Sequence, residues 1–161
     1  MAAESIVKKD PKLDAVLADD RELQDLADRT PFLPFTPFEV EVTLLDCHPK
    51  RNSDNAGVFA TVRIDSSNVP EVAVGRLYCL VWFSAHPKQK PFQIGQQLVN
   101  RGQFCAAIEG VPYSNDYVAQ PQLRKLDAAV GDLNIKLGIS RVFARKTRNN
   151  VDLYDTFYRK L

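Results

Sequence analysis

The residue types that could carry catalysis or hold a metal are few in this sequence and poorly spaced. There are only two histidines, and Cys47 and His48 are neighbours, so their side chains point to opposite faces of a strand. No paired-cysteine or His-x-x-x-His spacing occurs, and neither a glycine-rich phosphate loop nor a Gly-x-Ser-x-Gly nucleophile turn is present. The sequence therefore predicts no catalytic centre, metal or cofactor.

Aromatic and basic side chains occur together in two places, a combination typical of proteins that bind single-stranded nucleic acid. Such proteins stack bases on exposed rings, at about 1–3 kcal/mol per base, and hold the phosphates in a basic groove. Tyr154 and Tyr158 alternate onto one face of a predicted strand near the C-terminus, and Tyr78 and Trp82 do so on an earlier strand. The candidate nucleic-acid-binding residues are Lys50, Arg51, Arg63, Tyr78, Trp82, Lys88, Arg141, Arg145, Lys146, Arg148, Tyr154 and Tyr158.

Each aromatic pair also has a plainer interpretation. A single tryptophan is most often simply buried, and the two C-terminal tyrosines can pack at a barrel end with their hydroxyls in water. On the strand that carries Trp82, we predict that the opposite face is core. That face comprises Leu77, Cys79, Val81 and Phe83.

Charge is divided unevenly along the chain. Residues 1–47 hold five Lys or Arg against eleven Asp or Glu, a net charge of −6, whereas residues 48–161 hold sixteen against nine, a net charge of +7. This asymmetry indicates that the larger part meets a polyanion, and that the acidic part masks that surface or docks elsewhere. Ordinary variation in surface charge is the alternative.

Hydrophobic periodicity changes at residue 38. Before it, Asp10 and Pro11 predict a helix start, and apolar residues at helical spacing extend the helix to about Arg29. Three prolines in residues 30–38 then predict an extended linker. We therefore assign residues 1–37 to an acidic amphipathic helix and a Pro-rich linker, and residues 38–161 to a β-rich domain.

Five strands are predicted in that domain from alternating apolar residues, from bulky β-forming residues in the third strand, and from the turn-forming segments between the strands. They lie at about residues 38–44, 58–64, 76–84, 133–144 and 151–158. A helix is predicted at 92–109, ended by Gly110, and residues 121–130 are compatible with a short helix. This order is that of a mainly β, five-stranded OB-like Greek-key barrel with a helix between strands 3 and 4, plus an N-terminal helical arm. A different β-barrel or a sandwich is the alternative.

Three features favour a cytoplasmic location. The longest apolar run, from Leu77 to Phe83, is far shorter than the roughly 20 residues that span a bilayer. The N-terminus lacks the apolar segment of a secretion signal. The three cysteines form an odd set in apolar surroundings, which is typical of buried thiols in a reducing compartment.

Four segments of the chain resemble the OB-fold single-stranded DNA-binding proteins of bacteriophages. They are FATVRIDSS (59–67), VAVGRLYCLVWF (72–83), LVNRGQFCAAIEGV (98–111) and GISRVFARKTRNNVDLYDTFY (138–158). The likeness covers residues 38–158 and is one of pattern and order. It implies non-sequence-specific coating of single strands in phage replication, repair or recombination, without catalysis, in the host cytoplasm.

The chain departs from that family in the position of its acidic segment. Many members end in an acidic tail that recruits replication partners, whereas this sequence ends in FYRKL and carries its acidic residues near the N-terminus. The acidic N-terminal helix is therefore where we expect contacts with replication or recombination proteins, or self-association.

Two other functions fit the same sequence. A virion structural or assembly protein could dock onto a neighbouring subunit through the N-terminal arm. A barrel that binds a small molecule or carbohydrate is also compatible, because OB surfaces bind oligosaccharides.

Overall fold

The protein folds around a five-stranded antiparallel sheet with two helices, in a computed structural model that describes residues 30–51, 54–129 and 131–161. The compact unit that holds the sheet runs from Phe32 to Leu161. Its elements are β1 (Phe38–Arg51), β2 (Ala56–Ser67), β3 (Leu77–Ala85), α1 (Pro91–Glu109), α2 (Gln120–Ala128), β4 (Ile135–Lys146) and β5 (Asp152–Lys160). The prediction of a mainly β fold with a helix between strands 3 and 4 is confirmed. The helix predicted at residues 10–29 lies outside the described residues.

The strands are ordered β3-β2-β1-β4-β5, so β1 is the centre of the sheet. Residues 38–44 pair with β4, residues 40–44 pair with β2 as well, and the rest of the strand continues alongside β2 alone. The β1–β2 pairing has two register shifts, one between Glu41 and Val42 and one between Leu44 and Asp46, and the second lies where the pairing with β4 ends. Such bulges bend a strand and increase its twist.

The inner face of the sheet supplies most of the hydrophobic core. Alternate residues of β1, such as Val40, Val42 and Leu44, are at most 2% exposed, because side chains at every second position of a strand share a face. Leu137 and Ile139 continue that layer on β4. The strict alternation in the sequence therefore identified these core positions correctly.

Helix α1 begins and ends at signals that are readable in the sequence. Pro91 occupies its first turn, where no backbone N–H is needed, and the Lys90 N–H donates to the Gln93 side chain at 2.8 Å. Gly110 ends the helix in the left-handed conformation, with φ 81°. Inside the helix, Gly102 is buried against Tyr113, whose ring would lie 2.7 Å from a Cβ at that position. The mid-helix glycine is therefore explained by close packing.

Helix α1 also connects the two outer strands of the sheet. The Asn100 side-chain oxygen accepts one hydrogen bond from Trp82 Nε1 on β3 (2.7 Å) and another from the Tyr158 hydroxyl on β5 (2.6 Å). The ring of Phe104 lies 4.6 Å from the Trp82 ring and 5.3 Å from the Tyr158 ring, measured between centroids. Since one amide oxygen reaches both strands, β3 and β5 approach each other at this helix.

The proline-rich segment before β1 packs on the sheet. Phe32 forms a parallel bridge with Cys79 of β3, and Leu33 is 2% exposed. Residues 32–37, which the sequence groups with the N-terminal linker, therefore belong to the same compact unit as the sheet.

Neither helix of the described residues has the length and apolar character needed to cross a bilayer.

Candidate nucleic-acid interface

The two faces of β3 differ from the sequence prediction: of the four residues predicted to be core, Cys79 is buried but the other three are only half-buried. Tyr78 and Trp82, predicted to form an exposed stacking surface, are each 3% exposed and belong to the core. The Trp82 N–H is satisfied by Asn100, and the Tyr78 hydroxyl donates to the Glu71 carbonyl at 3.2 Å. Helix α1 covers this face and supplies Asn100 as the acceptor for the indole N–H. Burial of Trp82 therefore leaves no hydrogen-bond donor unpaired. The prediction that these two rings stack on bases is therefore wrong.

The opposite face of β3 contributes instead to an aromatic surface that faces away from the core. Across the strands, His48 pairs with Phe59, and Phe83 lies two residues beyond Val81, the partner of Phe59 on β3. The ring centroids are 6.4 Å apart for His48 and Phe59, 6.2 Å for Phe59 and Phe83, and 4.6 Å for Phe83 and His86. All four rings are half-buried. We call His48, Phe59, Phe83 and His86, together with Lys50, the aromatic platform.

Cations surround the aromatic platform. The Lys50 ammonium lies 5.1 Å from the centroid of the Phe59 ring, within the range of a cation–π contact. Arg51 is exposed at the end of β1, and Lys88 is exposed in the loop that follows β3. The His48 Nδ1 lies 2.7 Å from Asp46 Oδ2, which fixes the orientation of the imidazole ring. Three residues predicted to bind nucleic acid thus lie on elements that carry or adjoin the platform.

Arg63 is also on the outer face of the sheet but takes part in a polar network. Its guanidinium donates to Thr43 Oγ1 (3.1 Å) and to Asp65 Oδ1 (3.2 Å), and Lys136 Nζ donates to Thr43 Oγ1 (2.9 Å). The Thr43 hydroxyl in turn donates to Asp65 at 2.5 Å. This bond, with the Arg63 and Lys136 charges, lowers the pKa of the Asp65 carboxyl. The network joins β1, β2 and β4. The Arg63 guanidinium therefore has hydrogen-bond partners within the protein, whether or not it also contacts a ligand.

Replacing Asp65 with asparagine is expected to lower the free energy of unfolding by about 1 kcal/mol at pH 7, as for a hydrogen-bonded side chain that is partly exposed. Because the folded-state pKa is depressed, the contribution is present above the unfolded-state pKa and is lost as the pH falls through the folded-state pKa. Urea unfolding at pH 7 and at pH 3 checks this. An Asp132→Asn variant, at an exposed carboxyl outside the network, serves as the control, and an equal effect at both pH values would contradict the assignment.

The β4–β5 hairpin extends beyond the sheet as a two-stranded ribbon. The pairing of β1 with β4 ends at Arg141, and residues 142–155 have no third strand beside them. Phe143 is half exposed and contacts the Tyr154 ring edge-on, at 6.1 Å between centroids. Lys146 Nζ forms a 2.6 Å ion pair with Asp152. We call residues 142–155 the ribbon.

A bulge in the ribbon distributes its cations over both faces. Phe143 pairs with Tyr154, but Arg145 pairs with Leu153, so β4 contains one extra residue between these pairs. Arg145 therefore lies on the face opposite Phe143, while Lys146 lies on the same face as Phe143. Arg148 is exposed in the turn. Arg145, Lys146, Arg148 and Tyr154 thus lie together on this hairpin, and that they bind nucleic acid stays a prediction.

Two other candidates from the same hairpin are structural. Arg141 is 8% exposed, and its guanidinium donates to the carbonyls of Leu33 (3.2 Å) and Pro34 (2.6 Å) and to Thr156 Oγ1 (2.9 Å). Burial raises the pKa of the Tyr158 hydroxyl, which donates to Asn100. Both side chains turn inward because they continue the core-facing register of β4 and β5. Their predicted role as phosphate and base contacts is wrong.

The sequence analysis did not identify the rings of the platform. On β2 the buried face consists of alternate apolar residues, which puts Phe59 on the other face together with Arg63; the buried ones are Val58, Ala60, Val62 and Ile64. Phe59 was therefore readable as an outward ring. Phe83 was not, because both faces of β3 are apolar.

Comparisons of the chain with family models, curated proteins and solved structures yield no match.

The buried thiols and the metal-binding residue types do not form a second site within the described residues. Cys47, Cys79 and Cys105 are buried, and desolvation raises the pKa of their thiols to about 12, 11 and 12 respectively. At neutral pH they are protonated and poor nucleophiles. No group of three or more His, Cys, Asp and Glu residues in that part of the chain could hold a metal ion. The side chains of the platform and the ribbon can stack, make cation–π contacts and form ion pairs.

Proposed function

We propose that this protein binds single-stranded DNA without sequence specificity, using the aromatic platform and the ribbon. The observation that carries the proposal is that half-buried outward rings lie beside cations on the same surface, as in the 5.1 Å approach of Lys50 to Phe59. Each base has a π-face, so rings of this kind bind bases without reading sequence, while cations hold the phosphates. The proposed setting is phage DNA replication, repair or recombination, without catalysis, in keeping with the resemblance noted in the sequence.

The arrangement of the strands supports the proposal. We interpret the sheet as an OB-like Greek-key barrel that is open between β3 and β5, with α1 covering the gap. OB-folds bind oligonucleotides on the face of strands 2 and 3 and on the loops between strands 1 and 2 and between strands 4 and 5. The platform occupies β1, β2 and β3, and the ribbon contains the β4–β5 turn. Both surfaces thus fall where an OB-fold would place its ligand.

Fluorescence anisotropy of a labelled oligo-dT is the direct test. Affinity should fall about fifty-fold between 50 and 200 mM salt if four phosphates are neutralised, since each contributes a slope of about −0.7 in log–log form for single strands. Phe59→Ala and Phe83→Ala should each weaken binding about tenfold, as expected for the loss of one stacking ring. Arg145→Ala should reduce the salt slope by about 0.7.

Two matched variants control for these changes. Phe92 is an exposed ring on α1, and Lys125 is an exposed cation on α2, and both lie outside the platform and the ribbon. Phe92→Ala and Lys125→Ala should leave oligo-dT affinity within about twofold of the unchanged protein, as for surface changes away from a contact. Absence of oligo-dT binding at low salt would overturn the proposal, and so would equal losses in the platform and control variants.

The role of the acidic arm stays a prediction. Competition for the DNA surface, recruitment of replication or recombination proteins, self-association and virion assembly all depend on residues outside the described part of the chain. The assembly alternative would gain support if the protein failed to bind oligo-dT and occurred in stoichiometric amount in purified virions.

A further inference from the structure

A cleft lies under the β1–β2 hairpin and shares His48 and Lys50 with the aromatic platform. It has a volume of about 470 Å³ and is bounded by the ends of β1 and β2 and by α1 and α2. Cys47 and Val58, which line it, belong to the inner face of the sheet. This volume falls within the range of small-molecule sites, which is about 300–1,000 Å³. The cleft is therefore large enough for a compact organic ligand.

The polar lining of the cleft is strongly cationic. Arg51, Arg101 and Arg124 line it together with Lys50, and Asp127 is the one acidic residue in the lining. Within the described residues, Arg101 and Arg124 have no ion pair that could neutralise them. Guanidinium groups present a planar set of donors that matches phosphate oxygens, and such hydrogen bonds are charge-assisted. The lining thus favours an anion.

Arg101 supplies an independent indication of a ligand. Its Nε atom is buried and has no hydrogen-bond partner within the described part of the chain. Buried donors in native proteins are almost always paired, so an unpaired one calls for an acceptor that enters the site. The Arg101 charge also opposes the rise in the pKa of the Cys47 and Cys105 thiols, in keeping with a cation held beside the core.

The remaining walls of the cleft are apolar. Val58 and Ala56 of β2 and Leu123 of α2 are buried residues that line it, and Pro49 adjoins them. A ligand that satisfies both parts of the lining carries a phosphate for the guanidinium groups and a less polar part for the aliphatic walls. We propose that the cleft binds a nucleoside monophosphate, either free or as the 5′-terminal unit of a strand. The cleft shares only His48 and Lys50 with the platform, and the proposal does not rest on the proposed DNA coating.

Isothermal titration of the full chain with dTMP tests the cleft. Saturable binding of dTMP is expected at low salt, with no binding of thymidine and weaker binding of inorganic phosphate. Arg124→Ala should weaken dTMP binding about tenfold, because it removes a charge-assisted contact. Lys125→Ala removes the same charge from the neighbouring position, which does not line the cleft, and should leave the dTMP affinity unchanged.

A second variant keeps the test decisive. Arg101→Met retains the length of the side chain and removes its donors, and it should weaken dTMP binding at least as much as Arg124→Ala, with folding checked by the emission of the single tryptophan. No saturation with dTMP, equal affinity for thymidine, or an equal loss in Lys125→Ala would overturn the proposal. Comparing the affinities for oligo-dT with and without a 5′-phosphate distinguishes the two sources of the ligand. A preference for the phosphorylated strand that Arg124→Ala abolishes identifies a strand end, and no preference identifies a free nucleotide.

Discussion

Replacing Asn100 with alanine is expected to lower the free energy of unfolding by about 3 kcal/mol and the melting temperature by about 10 °C. The Asn100 oxygen is the acceptor for both Trp82 Nε1 and the Tyr158 hydroxyl. Alanine would leave both donors without this partner inside the core, and each unpaired donor costs about 1–3 kcal/mol. The substitution also removes the hydrogen bonds that link β3 and β5 through Asn100. These two strands are not paired with each other within the described residues.

Urea unfolding followed by tryptophan fluorescence measures this directly, because Trp82 is the only tryptophan and lies at the contact itself. Gln96→Ala is the matched control, since Gln96 is an exposed amide on the same helix. It should change the free energy of unfolding by less than about 0.5 kcal/mol. If the two variants were equally stable, the Asn100 contacts would not hold the outer strands together.

The order of the elements was readable from the sequence because each depends on local pattern. Alternation predicted β1, β2 and β4, bulky β-forming residues predicted β3, and the turn after β4 predicted β5. Pro91 and Gly110 mark the ends of α1. The face of β3 was not readable, since Tyr78, Leu80 and Trp82 are no more apolar than Leu77, Val81 and Phe83. What decides between the faces is Asn100, 18 residues beyond Trp82 in the chain. A contact between residues so far apart does not affect the pattern of apolar residues within the strand, so the pattern could not predict it.

Arg141 shows a different kind of error. Leu137 and Ile139 point into the core, so the period of two puts Arg141 on the same face. Its charge suggested a surface residue, because arginine is almost never fully buried unless paired. The pairing partners are backbone carbonyls of Leu33 and Pro34, more than a hundred residues earlier in the chain. The sequence could not show that Arg141 is buried, because its partners are known only when the proline-rich segment is seen to pack on the sheet.

Replacing Arg141 with methionine is expected to lower the free energy of unfolding by about 3 kcal/mol, because hydrogen bonds to a charged group contribute about 1.5–3 kcal/mol and the partners are left buried. The guanidinium also lies 4.9 Å from the centroid of the Phe35 ring and 5.3 Å from that of Phe38, so the segment loses its cation–π contacts as well. Residues 32–37 should then detach, and chymotrypsin should cleave after Phe32 and Phe35 faster than in the unchanged protein.

Arg145→Met is the control, because it removes the same charge from an exposed position on the ribbon, four residues after Arg141. The two variants should separate stability from binding: Arg141→Met should be destabilised while its folded form keeps its oligo-dT affinity, and Arg145→Met should be stable while its affinity falls. Urea unfolding and anisotropy, measured on both proteins under one set of conditions, give the comparison. An Arg141→Met protein as stable as the control but deficient in DNA binding would contradict the structural role and place Arg141 in the interface after all.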